Sequence, residues 1–107
     1  NLMYTLHFYA GTHKEWLREK GDYALSKGLA LFVTECGGMN ADGQGPIDVE
    51  STMAWIEWMD DNDISYAFWS ISDKKETCSM LYPSALSEGP WTESDLSPWG
   101  HFVKEQL

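Results

Sequence analysis

Residues 29–38 read LALFVTECGG, an almost continuous apolar run that ends in a carboxylate, a cysteine and two glycines. An apolar run of this length, bounded by glycines, predicts a buried strand over residues 29–35. Glu35 is then the last residue of that strand. Because a buried carboxylate is costly unless it is paired or hydrogen-bonded, Glu35 is expected at a solvated strand end or in surroundings built to use it. Gly37 and Gly38 are expected to let the backbone turn sharply away behind it.

The segments around this strand repeat an alternation of strands and helices. Thr12 lies three residues before Glu15, which is typical of a helix-capping box, and Ser97 followed by Pro98 is typical of the start of another helix. Apolar runs and helical periodicity define the remaining elements. The predicted elements are strands at 2–9, 29–35 and 64–71, helices at 12–28 and 48–62, a long ordered loop at 82–98 and a short helix after Ser97.

This order predicts an α/β fold with a parallel sheet of three βα units. Such a chain is either a small open sheet or part of a (β/α)8 barrel, which takes about 250 residues when complete, whereas this chain has 107. The strands are apolar throughout rather than alternating, so both faces of the sheet are expected to be covered. Its two edges would be unpaired, and we therefore expect a missing half-barrel, a homo-oligomer that forms through these open edges, or both.

The net charge of the chain narrows the range of partners. Seventeen acidic residues against seven basic ones give a formal charge of −10, which repels phosphate backbones and anionic lipid, so nucleic acid and membrane surfaces are poor partners. No apolar run approaches the roughly 20 residues that span a bilayer. A neutral, hydroxyl-rich ligand is compatible with this charge. Most of the six tryptophans are expected to pack in the core, and a stacking platform for such a ligand needs only one or two of them.

The metal-binding patterns in the sequence are weak. Cys36 and Cys78 have no zinc-like spacing, and they could form one disulfide or remain two free thiols. Residues 40–51 place oxygen donors at the spacing of a calcium loop, but the twelfth position is Ser51 rather than glutamate. A polar loop is the better interpretation of that segment, and no metal and no organic cofactor is expected.

The site should lie where the predicted strands end. In parallel α/β sheets, ligands bind at the carboxyl ends of the strands. Those ends carry His7 and Tyr9 on the first strand, Glu35 on the second and Trp69 on the third. Taken singly, each has an ordinary explanation, such as a solvated carboxylate, a core histidine or a packed indole. Together they predict a site at one rim of the sheet.

Four motifs at this rim and beyond it carry a family resemblance. YTLHFYAGTH, FVTECGG, AFWSISDKKET and GPWTESDLSPWGHFV occur in this order within the chain. Together they resemble the C-terminal half of the bacterial endo-β-1,4-glucanases of glycoside hydrolase family 5. The resemblance runs over residues 1–107 and implies the sixth to eighth strands of a catalytic (β/α)8 barrel with their helices, the part of the barrel that supplies the nucleophile.

The resemblance implies roles for six side chains. Glu35 matches the catalytic nucleophile, and His7 and Tyr9 match the pair that lines the cleavage subsite, where the tyrosine hydrogen-bonds the nucleophile. Trp69 matches a platform on which a sugar stacks. Two polar residues of the SDKKET motif match those that hold hydroxyls of the neighbouring glucose on the non-reducing side; these are Lys74 and Glu76. A loop salt bridge of little energetic value is the plain alternative for this last pair.

The implied activity is that of a retaining cellulase, secreted from the cell, that cuts internal β-1,4-glucosidic bonds of a β-glucan. Retention needs a second carboxylic acid roughly 5–5.5 Å from the nucleophile, and the family's Asn-Glu-Pro motif that carries it is absent here. The isolated chain is therefore expected to be inactive. Cys36 also replaces the tryptophan that commonly follows the family's nucleophile. The alternatives are a retaining β-glycanase acting on mannan or mixed-linkage glucan, and a non-catalytic, self-associating glucan-binding fragment.

Overall fold

The computed structural model describes residues 1–107, and its elements follow the predicted order. The strands are β1 (Met3–Tyr9), β2 (Ala30–Gly37) and β3 (Tyr66–Phe68). The helices are α1 (Glu15–Ser26), α2 (Val49–Asp61) and α3 (Pro98–Gln106), with a 3-10 turn at Glu93–Asp95. The three strands form one parallel sheet in the order β1-β2-β3. The predicted α/β class and parallel sheet are therefore confirmed, although β3 is much shorter than the predicted strand at 64–71.

The ends of the helices agree with the sequence in part. Ser97 caps α3 as predicted, because its hydroxyl accepts a hydrogen bond from the Gly100 amide at 3.1 Å. The prediction of a capping box at Thr12 is wrong: Lys14 is the N-cap residue of α1, and the Thr12 hydroxyl instead accepts from the Ala41 amide at 2.9 Å. Thr12 thus ties the start of α1 to the loop after β2.

A bulge in β2 determines which way its side chains face. Thr5 pairs with Phe32 but His7 pairs with Glu35, so β2 contains one extra residue relative to β1. The register with β3 shifts over the same segment. Because a bulge interrupts the alternation of side chains, Val33 and Cys36 both enter the core although they are three residues apart. Glu35, the neighbour of Cys36, is thereby turned to the opposite face of the sheet.

The two faces of the sheet have different surroundings. Helices α1 and α2 pack on one face around a core that includes Phe8, Val33 and Trp55. The other face has no helix over it, and Met3 is 61% exposed there, with Thr5 and Thr34 also exposed. The expectation that both faces are covered is therefore wrong for this chain. In a closed barrel the corresponding face points into the interior, where side chains from other strands fill it.

A second core lies between α3 and the long segment that precedes it. Trp99 and Val103 of α3 pack with Met39 and Met80. The segment between β3 and α3 is ordered, as predicted for the loop, and an antiparallel bridge between Leu81 and Leu96 draws it together. None of the helices is long and apolar enough to cross a bilayer.

Gly100→Ala is expected to destabilise the chain by about 1–3 kcal/mol. Alanine ordinarily favours a helix over glycine by about 1 kcal/mol, but a Cβ at position 100 would clash with the Met80 carbonyl oxygen. Urea unfolding would measure the change. Gly21→Ala is the matched comparison, because its Cβ would meet the movable ring of Trp58 rather than backbone, and it is expected to cost less. Equal or greater stability of Gly100→Ala would contradict the tight packing of α3.

Candidate active site

A short polar contact at the carboxyl end of the sheet joins β1 and β2. The Tyr9 hydroxyl donates to Glu35 Oε1 at 2.6 Å, and the Glu35 side chain is 25% exposed. Burial of Tyr9 and, next, its hydrogen bond to Glu35 raise the pKa of the phenol. The phenol therefore keeps its proton and acts as a donor to the carboxylate. Glu35 lies two residues before the end of β2 rather than at its last position.

His7 approaches the other oxygen of the same carboxylate. It is the register partner of Glu35, and its Nδ1 lies 3.6 Å from Glu35 Oε2. Its second ring nitrogen, Nε2, lies 2.9 Å from the Thr34 hydroxyl, which also contacts the hydroxyl of Thr5. Both nitrogens of the imidazole thus face polar groups on the open face of the sheet, and this holds the ring beside the carboxylate.

The two threonines were not among the predicted site residues. Thr5, His7 and Tyr9 occupy alternate positions of β1, so the side-chain period of a strand places them on one face. That pattern is a signal in the sequence for Thr5. Thr34 is different: it joins this face together with its neighbour Glu35 because the bulge in β2 breaks the alternation, and a bulge has no local sequence signature here.

Trp69 lies just after β3 rather than at its end, and its backbone is fixed on both sides. Its amide donates to the Cys36 carbonyl at 2.8 Å, and its carbonyl accepts from Trp99 Nε1 at 2.7 Å. The indole is 45% exposed. Since Cys36 directly follows Glu35, the structure places Trp69 at the same end of the sheet as the carboxylate.

Lys74 and Glu76 form an ion pair in the segment after Trp69. Lys74 Nζ lies 3.0 Å from Glu76 Oε2, and the Glu76 side chain is largely buried while that of Lys74 is exposed. The hydrogen bond to Glu76 raises the pKa of the Lys74 ammonium. Both residues line a groove that Glu35 does not line. The six predicted residues therefore form a group around Glu35, a platform at Trp69 and a separate polar pair.

The two glycines after Glu35 allow close packing at the end of β2. The chain bends at Gly38, directly after the end of β2, which agrees with the predicted turn, and neither glycine has a positive φ. A Cβ at Gly37 would lie 2.8 Å from the Tyr9 ring, and one at Gly38 would lie 2.8 Å from both Thr52 Oγ1 and the Trp99 ring. Gly37 thus lets the phenol lie flat against β2, where it reaches Glu35.

Both cysteines are buried free thiols, so the disulfide left open by the sequence does not form. Burial and, next, the charge of Glu35 raise the pKa of Cys36 to about 12. Burial and then the charge of Glu76 raise the pKa of Cys78 to about 11. Both thiols are therefore protonated near neutral pH, which makes them poor nucleophiles. No group of three His, Cys, Asp or Glu side chains lies together in an arrangement that could hold a metal ion.

A parallel α/β sheet with an acidic side chain, a phenol and an imidazole together at the carboxyl ends of its strands is typical of enzymes with barrel folds. Comparison with known proteins identifies the family. The model of Cellulase (glycosyl hydrolase family 5) matches residues 1–75. The chain belongs to this family of cellulases.

Curated relatives that are named endoglucanases match the whole chain. Endoglucanase A of Evansella cellulosilytica is 46% identical over 107 residues, which are 100% of this chain and 22% of that protein. Endoglucanase 5 of Pectobacterium carotovorum is 45% identical over 107 residues and is covered to 21%. The chain thus spans about a fifth of the length of the relatives it matches.

Solved structures give the same result for the fold. A protein from Cytophaga hutchinsonii has a TM-score of 0.94 and 49% identity over 97% of this chain and 34% of its own. The catalytic domain of a Thermobifida fusca endoglucanase has a TM-score of 0.89 and 30% identity over 97% of this chain and 34% of its own. A variant of that domain has been solved in complex with cellotetraose. The predicted fold, a portion of a family 5 (β/α)8 barrel, is confirmed.

Proposed function

We propose that this chain is the nucleophile-bearing portion of the catalytic barrel of a retaining endo-β-1,4-glucanase, with Glu35 as the nucleophile. The observation that carries the proposal is the 2.6 Å hydrogen bond from the Tyr9 hydroxyl to Glu35 Oε1. A nucleophilic carboxylate must be ionised and held in one orientation, and a protonated phenol at one oxygen provides both conditions. The family membership of the chain supports the same role.

The reaction follows from this arrangement. Glu35 attacks the anomeric carbon of a β-linked glucose and forms a glycosyl ester, while a second carboxylic acid protonates the departing glycosidic oxygen. Water then cleaves the ester with the second group acting as a base, so the configuration is retained. Tyr9 holds Oε1 throughout, and His7 borders Oε2 at 3.6 Å. In our proposal the second carboxylic acid comes from the missing half-barrel, outside these 107 residues.

The remaining predicted residues bind the substrate in this proposal. The exposed indole of Trp69 offers its face to the C–H face of a pyranose, and Lys74 and Glu76 bond the hydroxyls of the next glucose. A polymeric β-glucan cannot enter a cell, so the enzyme acts outside it and is secreted. Mannan and mixed-linkage glucan stay as alternative substrates, because residues outside this chain complete the subsites.

A second candidate function is a non-catalytic fragment that binds glucan and associates with copies of itself. The observation that favours it is the uncovered face of the sheet, where Met3 is 61% exposed. Light scattering of the dissolved chain tests it: a dimer or larger homo-oligomer would support this function, and a monomer would contradict it.

The catalytic proposal is tested with a chimera in which this chain replaces the matched segment of Endoglucanase A. We expect the chimera to hydrolyse soluble β-1,4-glucan with retention, and the isolated chain to release no reducing sugar. Assays with mannan and mixed-linkage glucan in parallel identify the preferred polymer. A chimera that folds, as judged by circular dichroism, but cleaves none of these polymers would contradict the proposal. Activity of the isolated chain would contradict the need for a second carboxylic acid.

A further inference from the structure

Four polar side chains form a continuous row on the open face of the sheet, and the row begins at the carboxylate of Glu35. His7 comes next, with its Nδ1 3.6 Å from Glu35 Oε2. Thr34 follows, because its hydroxyl lies 2.9 Å from His7 Nε2. The hydroxyl of Thr5 contacts that of Thr34 and ends the row. The row thus connects the carboxylate to two hydroxyl groups through both nitrogens of one imidazole.

The direction of the hydrogen bonds along this row depends on the tautomer of His7. A neutral imidazole has one N–H donor and one nitrogen that accepts, whereas a hydroxyl donates one hydrogen bond and its oxygen can also accept. The hydrogen bond that one ring nitrogen makes determines which nitrogen carries the proton. The Thr34 hydroxyl therefore has two possible roles: it donates to Nε2 when the proton is on Nδ1, and it accepts from Nε2 when the proton is there.

The carboxylate at the other end of the imidazole favours the first arrangement. The 3.6 Å contact between Nδ1 and Glu35 Oε2 is too long for a hydrogen bond, but charge still acts across it. An N–H dipole directed at the carboxylate is attracted, whereas a nitrogen lone pair directed at it is repelled. With the proton on Nδ1, the Thr34 hydroxyl donates to Nε2 and its oxygen accepts from the Thr5 hydroxyl. Each hydroxyl proton in the row then has an acceptor.

We propose that Thr34 and Thr5 are positioning residues for the reaction: they hold His7 as the tautomer whose Nδ1–H faces Glu35 Oε2. Tyr9 donates to Oε1 at 2.6 Å, so each oxygen of the carboxylate then faces a proton, and the carboxylate keeps one orientation towards the anomeric carbon. The other tautomer places a lone pair against Oε2 and disfavours that orientation. The inference rests on the proposed function, because that function makes Glu35 the nucleophile.

The effect of the two threonines should be larger in a complete barrel than in the isolated chain. Thr5 and Thr34 are exposed here, but the face on which they lie points into the interior of a closed barrel. A hydrogen bond is stronger in such an interior, where the effective dielectric constant is low. The tautomer is therefore measured in the isolated chain, and the kinetic effect is measured in the chimera.

The first test measures the tautomer of His7 by NMR of isotope-labelled histidine, under conditions in which the imidazole is neutral. The shifts of the ring nitrogens distinguish a protonated nitrogen from an unprotonated one. Because the chain has three histidines, His7→Gln assigns the signals. We expect the Nδ1–H form to dominate, although free histidine in water favours the Nε2–H form. Thr34→Val removes the hydroxyl at nearly constant size and should raise the Nε2–H fraction, whereas Thr34→Ser should not.

The second test compares the kinetics of the same variants in the chimera. Thr34→Val should lower kcat on a soluble β-1,4-glucan about tenfold, as expected for the loss of one hydrogen bond that acts on the reacting group, and should leave KM nearly unchanged. Thr34→Ser keeps the hydroxyl and should restore most of kcat. Thr92→Val is the control, because Thr92 lies outside the sheet at the start of the 3-10 turn. It should change neither kcat nor the tautomer.

Three results would overturn the proposal: the Nε2–H form dominating in the unchanged chain, an unchanged tautomer in Thr34→Val, or equal loss of kcat in Thr34→Val and Thr34→Ser. If Thr34→Val fails to fold, Thr5→Val replaces it and should shift the tautomer and kcat in the same direction by a smaller amount. Failure of the proposed function is seen separately, as a chimera without substitutions that cleaves no polymer. The tautomer measurement needs no catalysis, so the two outcomes are distinguished.

Discussion

Glu35→Gln is expected to lower kcat of the chimeric barrel by about four orders of magnitude or more. Glutamine has the size of glutamate and can still accept the Tyr9 hydrogen bond, but its amide cannot attack the anomeric carbon. The fold and the affinity for substrate should therefore change little while the chemistry stops. Initial rates on a soluble β-1,4-glucan, together with the unfolding midpoint in urea, measure the two effects separately.

Glu57→Gln is the matched control for this prediction. Glu57 is an exposed carboxylate of α2, so its replacement should leave kcat unchanged. Glu35→Ala with added azide gives a further check, because azide that enters the vacated space attacks the anomeric carbon of an activated cellobioside and forms the α-glycosyl azide. Retention of more than about a tenth of kcat by Glu35→Gln would place the nucleophile elsewhere.

The order of elements and the end of the sheet that carries the site could be predicted from sequence, because both depend on local patterns. An apolar run followed by Glu35 and glycines indicates a strand and its end, and helical periodicity indicates what lies between strands. The bulge in β2 could not be predicted in this way. The bulge depends on how β2 pairs with its two neighbouring strands. Because of it, Thr34 and Glu35 both lie on the open face of the sheet, while Val33 and Cys36 both lie in the core.

The residues of the candidate site also fall into two groups, those that the sequence indicates and those that only tertiary packing brings together. Tyr9 and Glu35 belong to motifs that are recognisable in the sequence, and their positions near the ends of adjacent parallel strands are enough to predict that they lie close together. The groove is a different case. Gln44 and Tyr82 lie in segments with no shared pattern, and only tertiary packing brings them to the groove beside Lys74 and Glu76. Residues of this kind are found from tertiary structure alone.

The uncovered face of the sheet also has a physical explanation. A strand that is apolar throughout indicates that both faces of the sheet are buried in the folded protein. It does not indicate which part of the protein buries each face. Here α1 and α2 cover one face, and the other exposes Met3, Thr5 and Thr34. In a complete barrel, side chains from the remaining strands meet this face. The chimera therefore gives β1 and β2 the surroundings that their sequence requires.

Trp55→Ala is expected to destabilise the chain by about 3–5 kcal/mol. Trp55 is completely buried in the core between the sheet and α2. Its ring stacks on Phe8 with centroids 4.0 Å apart, and its indole nitrogen donates to the His13 carbonyl at 2.8 Å. Truncation leaves a cavity against β1 and an unpaired carbonyl, so both packing and a hydrogen bond are lost.

Urea unfolding of the isolated chain measures this loss. Trp16→Ala is the control: Trp16 is 48% exposed on α1, so its truncation should lower the free energy of unfolding much less. If Trp55→Ala fails to fold, Trp55→Phe keeps most of the ring contact, and its smaller loss of unfolding free energy can be measured. Small domains have only about 5–15 kcal/mol of stability, so the expected loss is a large share of the total. Equal costs at positions 16 and 55 would contradict a core centred on Trp55. Phe8 lies between His7 and Tyr9 in β1, so a loosened core around Phe8 should also broaden the NMR signals of Tyr9 and Glu35. The packing of α2 is in this way linked to the geometry of the carboxylate.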